Sequence, residues 1–450
     1  MVNKMTSSLL CFILSSVALV AQNAPAPAGK KLVSPKISIA SDRVSALYTC
    51  RDKAVFTVAV MSEDKLADAG ICTIRLSKDG GELISENKYD LAVKNPFSIE
   101  AGLDHPGFMR CDFVGLDNIS CTLSARATAG FDVEKITMGF PEPADFDQYW
   151  SDLLKRQAAI EDAVTCEPLS DSVGKPGYKY FKLTVKTVDD GRVYGFLGVP
   201  AENPGPFAAI VLVCGAGSGY DIPDPTFIRP DMMTLSLNIH PIDPTLPKAE
   251  FQKKYKEMTA VKPYWLLGAP DRDKFHFRNG ILGSHAAVEY LSRHPQFNKK
   301  DLLYLSASQG GAFGLFLGGL NQKFSAIAAS VPALCDNGGL SPGWPDLVGN
   351  VAGNDEKLRR ECLDMSAYFD AANFAKRIKC PVIFTVGFND STCSPGSVYA
   401  AFNAVRSTKY IMTGPMDGHA TPWEHLNGIW QWVQNGLDEK NRAYRTYYKY

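Results

Sequence analysis

No long block of like charge interrupts this chain of 450 residues, and its 47 Lys and Arg are met by 48 Asp and Glu for a formal net charge of −1. A nucleic-acid binder needs a basic face or stripe, so that partner class is set aside. Metal-type spacings are missing as well. None of the 11 Cys forms a C-x-x-C pair and the seven His are scattered, which leaves no zinc signature; neither a metal nor another cofactor is expected. The apolar run from Leu9 to Val20, broken by Ser15 and Ser16, is shorter than the roughly 20 residues that span a bilayer. With Lys4 before it and small residues after it, residues 1–21 read instead as an export signal cleaved near Ala18 or Ala21. Cys11 lies near the start of the run rather than at its end, so it is not placed like the lipid-bearing cysteine of a lipoprotein. The expectation is a periplasmic or extracellular protein with no stable membrane insertion after processing.

What is present is ordinary for a globular chain: 45% hydrophobic and 21% charged residues, at a length that favours two domains. Export permits disulfides, and Cys50, Cys72, Cys111 and Cys121 form an even set whose pairing the sequence does not give. Cys214, Cys335 and Cys380 sit in apolar runs that suit buried thiols.

From residue 30 to 137 short β-like runs alternate with turn residues, for instance Ala54 to Val60 and Ile71 to Leu76. This predicts a small β-sandwich, immunoglobulin-like in spacing. Pro141 to Pro143 then punctuate the chain, and Asp145 to Leu154 predicts an amphipathic helix with Phe146, Trp150 and Leu153 or Leu154 on one face. Over 138–450, strand candidates such as Phe207–Val213, Met233–Leu237, Leu302–Leu305, Ala326–Val331, Val382–Val386 and Tyr410–Met412 alternate with helical stretches. That alternation predicts a mostly parallel sheet with helices on both faces.

The most informative stretch is Leu302 to Gly314, where a strand runs into a tight turn and then a helix. A nucleophile elbow needs small residues two positions to either side of its Ser, and Ser306 and Gly310 flank Ser308 in that way, with Ser306 replacing the first Gly of the usual G-x-S-x-G. A Ser hydroxyl attacks only when a base takes its proton and a carboxylate orients that base. In α/β-hydrolases the chain order is Ser, acid, His. Asp390 and His419 each follow a predicted strand and satisfy that order. Asp417 is a rival acid, but only two residues from His419 it better suits a turn; His425 is a rival base, but it lies in a predicted helix beginning near Pro422.

Backbone N–H donors for the developing oxyanion are expected from Gln309, next to the nucleophile, and from Ala216 in the loop Cys214 to Gly219. Those glycines could also suggest a dinucleotide loop. The sixth-position Gly is missing, and Asn238 stands where a ribose would need an acid.

From about Asp145 to the C-terminus, the chain resembles carbohydrate esterase family seven, the acetylxylan esterases and cephalosporin-C deacetylases. The resemblance rests on Val331 to Asp336, Tyr368 to Val382, Gly387 to Asn403, and Ser308 to Gly311. It implies an α/β-hydrolase fold, the same triad, and an acetylated carbohydrate or other small ester as substrate. The family usually has His-Gly-Tyr at Cys214 to Ala216, Arg-Gly-Gln at Ile239 to Pro241, and His-Glu at His419-Ala420. These departures rebuild loops near the substrate, and the hexamer of some members is not carried over. An exported serine peptidase of related fold and a catalytically silent carbohydrate-binding protein are the competing expectations. Tyr264, Trp265, Trp344 and Trp423, in loop-like segments, are candidates for stacking on sugar rings as well as for the core.

Overall fold

The computed structural model describes residues 35–79, 81–117, 125–170, 174, 176–219, 231–339, 341, 343–420, 423–435 and 448–449. The expected signal, residues 1–21, lies outside them. The chain falls into two units, Met1–Val133 and Glu134–Tyr450, dividing a few residues before the position expected from the Pro-rich stretch.

The first unit holds β1 (Lys36–Ser41), β2 (Leu47–Tyr48), β3 (Ala54–Ser62), β4 (Lys65–Leu66), β5 (Ile71–Lys78), β6 (Leu83–Asp90), β7 (Phe97–Ala101), β8 (Gly107–Leu116) and β9 (Ala125–Phe131). One sheet pairs β3 with β1, β4 and β7; the other runs β2-β9-β8-β5-β6. Alternation drives the pairing. Ala54, Phe56, Val58 and Val60 of β3 point inward and share a core with Ile74, Met109, Phe113 and Phe131. Cys72 and Cys111 are free thiols, and burial pushes the Cys72 pKa up to about 11; Cys50 is half-buried, and Cys121 lies outside the described residues.

In the second unit the strands are β10 (Val164–Pro168), β11 (Tyr178–Thr187), β12 (Gly191–Pro200), β13 (Phe207–Val213), β14 (Met232–Asn238), β15 (Phe297–Ala307), β16 (Ala326–Ser330), β17 (Val382–Gly387), β18 (Lys409–Gly414) and β19 (Tyr448–Lys449). The helices are α1 (Phe146–Ala158), α2 (Lys248–Met258), α3 (His276–Arg293), α4 (Gln309–Leu320), α5 (Leu347–Ala352), α6 (Glu356–Ser366), α7 (Ala371–Ala375), α8 (Pro395–Ala404) and α9 (Trp423–Asn435). The sheet order is β10-β11-β12-β14-β13-β15-β16-β17-β18-β19, parallel from β14 through β18 and antiparallel outside that range.

Ile210, Leu303, Ala328 and Ile383 form one face of the sheet, covered by Ile429, Trp432 and Val433 of α9. On the other face α4 lies so close that a Cβ on Gly314 would come within 2.6 Å of the Tyr304 ring. Phe146, Trp150 and Leu153 are the buried apolar positions of α1, and Trp150 Nε1 donates to Tyr368 O at 3.0 Å. Among the described residues no helix is long and apolar enough to cross a membrane.

Because β14 and β15 lie on opposite sides of β13, the order reverses there. Open α/β sheets bind ligands at such a switch point, beyond the carboxyl ends of the strands. The chain leaves that edge at Val213, Asn238, Ala307, Gly387 and Gly414.

Candidate active site

Ser308 sits between β15 and α4 with φ +59° and ψ −124°, a conformation that L residues rarely adopt. Its amide donates to Ser330 O at 2.9 Å, while its own carbonyl accepts from Ala312 and Ala333. The elbow tolerates no bulk on its helix side. A Cβ on Gly310 would lie 2.3 Å from Val213 O, and one on Gly311 2.8 Å from Ser330 O. Ser306 fits on the strand side, where its hydroxyl accepts from Val213 N at 3.0 Å and donates to Leu305 O at 2.6 Å.

The structure brings Ser308, His419 and Asp390 together. His419 Nε2 is 3.1 Å from Ser308 Oγ, and His419 Nδ1 is 2.8 Å from Asp390 Oδ2. An ionised carboxylate only accepts, so Nδ1 carries the ring proton and Nε2 offers its lone pair to the Ser hydroxyl. Asp390 is fully buried, and its other oxygen accepts from Thr392 N at 2.7 Å and Cys393 N at 2.9 Å. Those bonds hold the carboxylate on the loop after β17 and aim Oδ2 at the ring.

The two rival residues are engaged with each other. Asp417 approaches His425 Nδ1 at 3.5 Å, and its backbone closes the turn after β18 through Asp417 N to Gly414 O at 3.0 Å. His425 lies in α9.

At the start of α4 the first N–H groups have no partner inside the helix and carry the positive end of its dipole, which suits the Gln309 N–H to a developing negative charge. The Gln309 side chain is fully buried. Its Nε2 donates to Cys214 O and Gly215 O, each at 3.2 Å, and its Oε1 accepts from the Tyr264 hydroxyl at 2.6 Å. Ala216 is exposed in the loop that these bonds anchor. Asn238 is a loop clamp, donating to Gly219 O at 3.0 Å and accepting from His240 N at 3.0 Å.

Sequence reasoning did not give a role to His240 and His276, which meet behind the Cys214 to Gly219 loop at 3.1 Å, nor to Cys393. Their signal was position alone: His240 comes two residues after β14, on the edge that carries Ser308. Tyr264 is fully buried, so its ring is core and only its hydroxyl reaches the site. Trp265 and Trp344 are half-buried against each other with ring centroids 5.3 Å apart, and Trp344 N donates to Thr392 O beside the acid loop. The Trp423 side chain lies outside the described residues.

Asp390, Cys393 and His419 offer a carboxylate, a thiol and a ring nitrogen within 4.8 Å, the one such group among the described residues. Its carboxylate and imidazole are already bonded to each other, and burial holds the Cys393 thiol well above its usual range, which keeps it protonated. The group is therefore read as part of the hydrogen-bonded triad with a neutral thiol behind it.

The acetyl xylan esterase (AXE1) family model matches residues 133–435. The chain is 28% identical over 307 residues to the acetyl esterase Axe7A of Xylanibacter ruminicola, covering 66% of this chain and 67% of that one. Acetyl xylan esterase 1 from a Thermoanaerobacterium species superposes with a TM-score of 0.59 at 19% identity, over 68% of this chain and 98% of the other. An acetyl xylan esterase from a Paenibacillus species gives 0.54 at 18% identity, over 67% and 98%. At those identities the two solved structures speak for the α/β-hydrolase fold. The family model covers well over half of the residues, and on that ground the chain belongs to the acetyl xylan esterase family and is a carboxylic ester hydrolase.

Proposed function

We propose that the chain is an exported serine esterase that removes acetyl groups from carbohydrates through an acyl-enzyme on Ser308. The observation that carries this reading is the continuous chain of hydrogen bonds from Ser308 Oγ through His419 to Asp390 at 3.1 and 2.8 Å. His419 Nε2 takes the Ser308 proton as Oγ attacks the acetyl carbonyl, and Asp390 stabilises the imidazolium. The oxyanion is received by the N–H groups of Gln309 and Ala216. Collapse expels the sugar oxygen, which leaves with the proton from His419. Water, deprotonated in turn by His419, then attacks the acyl carbon and releases acetate and Ser308.

The acetyl preference draws on the acetyl esterase relative and on Trp265 and Trp344, whose half-buried faces could bound a small acyl group or take a sugar ring. A tight pocket discriminates by about 1–3 kcal/mol per misplaced methylene. Acetate should therefore be favoured over butyrate by roughly tenfold or more. The test compares kcat/KM on nitrophenyl acetate, butyrate and octanoate, then acetate release from acetylated oligosaccharides, with Ser308→Ala as control. Faster turnover of octanoate, or no release from any acetylated sugar, would remove the deacetylase reading; an active Ser308→Ala would remove the triad itself. Export is tested by finding the mature N-terminus near Gln22 in the secreted or periplasmic fraction.

A further inference from the structure

Ala216 lies in a glycine-rich loop, so the direction of its N–H is set by the peptide groups on either side. Peptide units are planar and trans, so the C=O and N–H of one unit point in opposite directions. The unit that carries the Ala216 N–H is held by its carbonyl, Gly215 O, which accepts from Gln309 Nε2 at 3.2 Å. The next unit is held by its amide, Gly217 N, which donates to the Tyr264 hydroxyl at 3.2 Å while that hydroxyl donates to Gln309 Oε1 at 2.6 Å. The third is held by Gly217 O, which lies 2.8 Å from His240 Nε2. Gly217 has φ +130°, so its own backbone, unlike that of a residue with a side chain, does little to restrict the loop.

A carbonyl only accepts, so His240 carries its proton on Nε2 and has a lone pair on Nδ1. That lone pair faces His276 Nε2 at 3.1 Å, which must then be the protonated nitrogen of its ring. Each ring thus fixes the tautomer of the other, and a directed chain runs from His276 through His240 to Gly217 O. His240 is fully enclosed, and burial pushes its pKa down to about 4, so the ring stays neutral across the working range of an esterase.

We propose that His240, oriented by His276, is a positioning residue of the oxyanion hole: Gln309 and Tyr264 hold the two peptides flanking Ala216 and His240 holds the one after them, so that the Ala216 N–H already points at the oxyanion site before substrate arrives. The proposal rests on the assignment of Ala216 as the second oxyanion donor. Losing an oxyanion donor costs roughly 10²–10³ in kcat, and loosening one should cost part of that.

The experiment measures kcat and KM on nitrophenyl acetate, the inhibition constant of phenylboronic acid and the thermal midpoint for the wild type, His240→Leu, His240→Gln and Tyr264→Phe. Phenylboronic acid adds to a nucleophilic Ser as a tetrahedral adduct that mimics the oxyanion intermediate. For His240→Leu, kcat should fall about 10- to 100-fold with KM within about twofold, and boronate inhibition should weaken by the same factor as kcat. His240→Gln, which offers an amide N–H where Nε2 was, should recover most of the loss. Tyr264→Phe keeps the buried ring and should show the same signature, so a failure of His240→Leu to fold does not end the test. Unchanged boronate affinity in His240→Leu and Tyr264→Phe, or equal losses in the Leu and Gln variants, would overturn the positioning role. A wild type that phenylboronic acid does not inhibit would instead overturn the underlying assignment of the nucleophile and its oxyanion hole.

Discussion

Ser306 stands where the elbow pattern usually has glycine, and replacing it should cost stability even when the replacement is glycine. The ladder between β13 and β15 ends at the pair Val211 and Tyr304. The Ser306 hydroxyl extends it by one bond, to Val213 N at 3.0 Å, at the point where the chain leaves for the Cys214 to Gly219 loop. Val213 is only 4% exposed, so without that acceptor its N–H is left inside the protein unpaired. An unsatisfied buried donor costs about 1–3 kcal/mol. Ser306→Ala should lose about that much, and Ser306→Gly about 0.5–1 kcal/mol more through the extra freedom of the unfolded chain.

All six Trp lie within Glu134–Tyr450, so Trp fluorescence during urea unfolding follows this unit alone. The expected order of midpoints is wild type, then Ala, then Gly, with similar m values. Ester turnover should drop by less than about tenfold in either variant, because the hydroxyl positions the strand end and does not touch the reacting atoms. A Ser306→Gly protein as stable as the wild type would refute the reasoning, since the bond to Val213 would then count for nothing.

Asp390→Asn should lower kcat by roughly 10³–10⁴, because the amide no longer selects the tautomer that leaves His419 Nε2 free, while Asp417→Asn should stay within about threefold. The reverse ranking in a nitrophenyl acetate assay would make Asp417 the acid. Asp336→Asn tests a buried carboxyl whose pKa is raised to about 7 by burial and then by the neighbouring Asp370 charge. Because the folded value lies above the unfolded one, the stability this carboxyl contributes is present at low pH and is lost as pH rises through about 7. The amide can still accept from Gly139 N, now 2.7 Å from Asp336 Oδ1. The variant should therefore melt with the wild type near pH 4 and above it at pH 8; equal melting at pH 8 would contradict the burial of that charge.

Much of the second unit was legible because parallel strands buried on both faces read as continuous apolar runs, and Leu302 to Gly314 shows its strand, turn and helix directly. Its distance of only two residues from His419 counted against Asp417 before any geometry, and the physical reason lies in the turn: Asp417 gives its backbone to Gly414 and Asn389 and turns its carboxylate toward His425. The tight turn between β11 and β12 is written in Asp189-Asp190-Gly191, residue types that accept the positive φ both Asp adopt there. The clamp behind the Cys214 to Gly219 loop was not readable. Tyr264 and Gln309 are 45 residues apart and His240 and Gly217 are 23 apart, so no local pattern joins them. Helices α5 and α6 were also not read: α5, at six residues, is too short to show a helical period, and both become evident through the caps at Asp346 and Asp355.

Cys72, Cys111, Cys335, Cys362 and Cys393 are all buried and free. In the oxidising surroundings that the proposed export would bring, such thiols survive because oxidants and disulfides attack thiolates they can reach, and burial denies both ionisation and access. Once the chain opens, the same five become mutual partners for wrong disulfides, and a molecule trapped in that way does not return. Outside the cell the working lifetime would then be governed by how seldom the chain opens, a kinetic quantity, more than by how strongly folding is favoured at equilibrium. Loss of activity on storage would track the appearance of crosslinked species and would slow in the presence of a reductant.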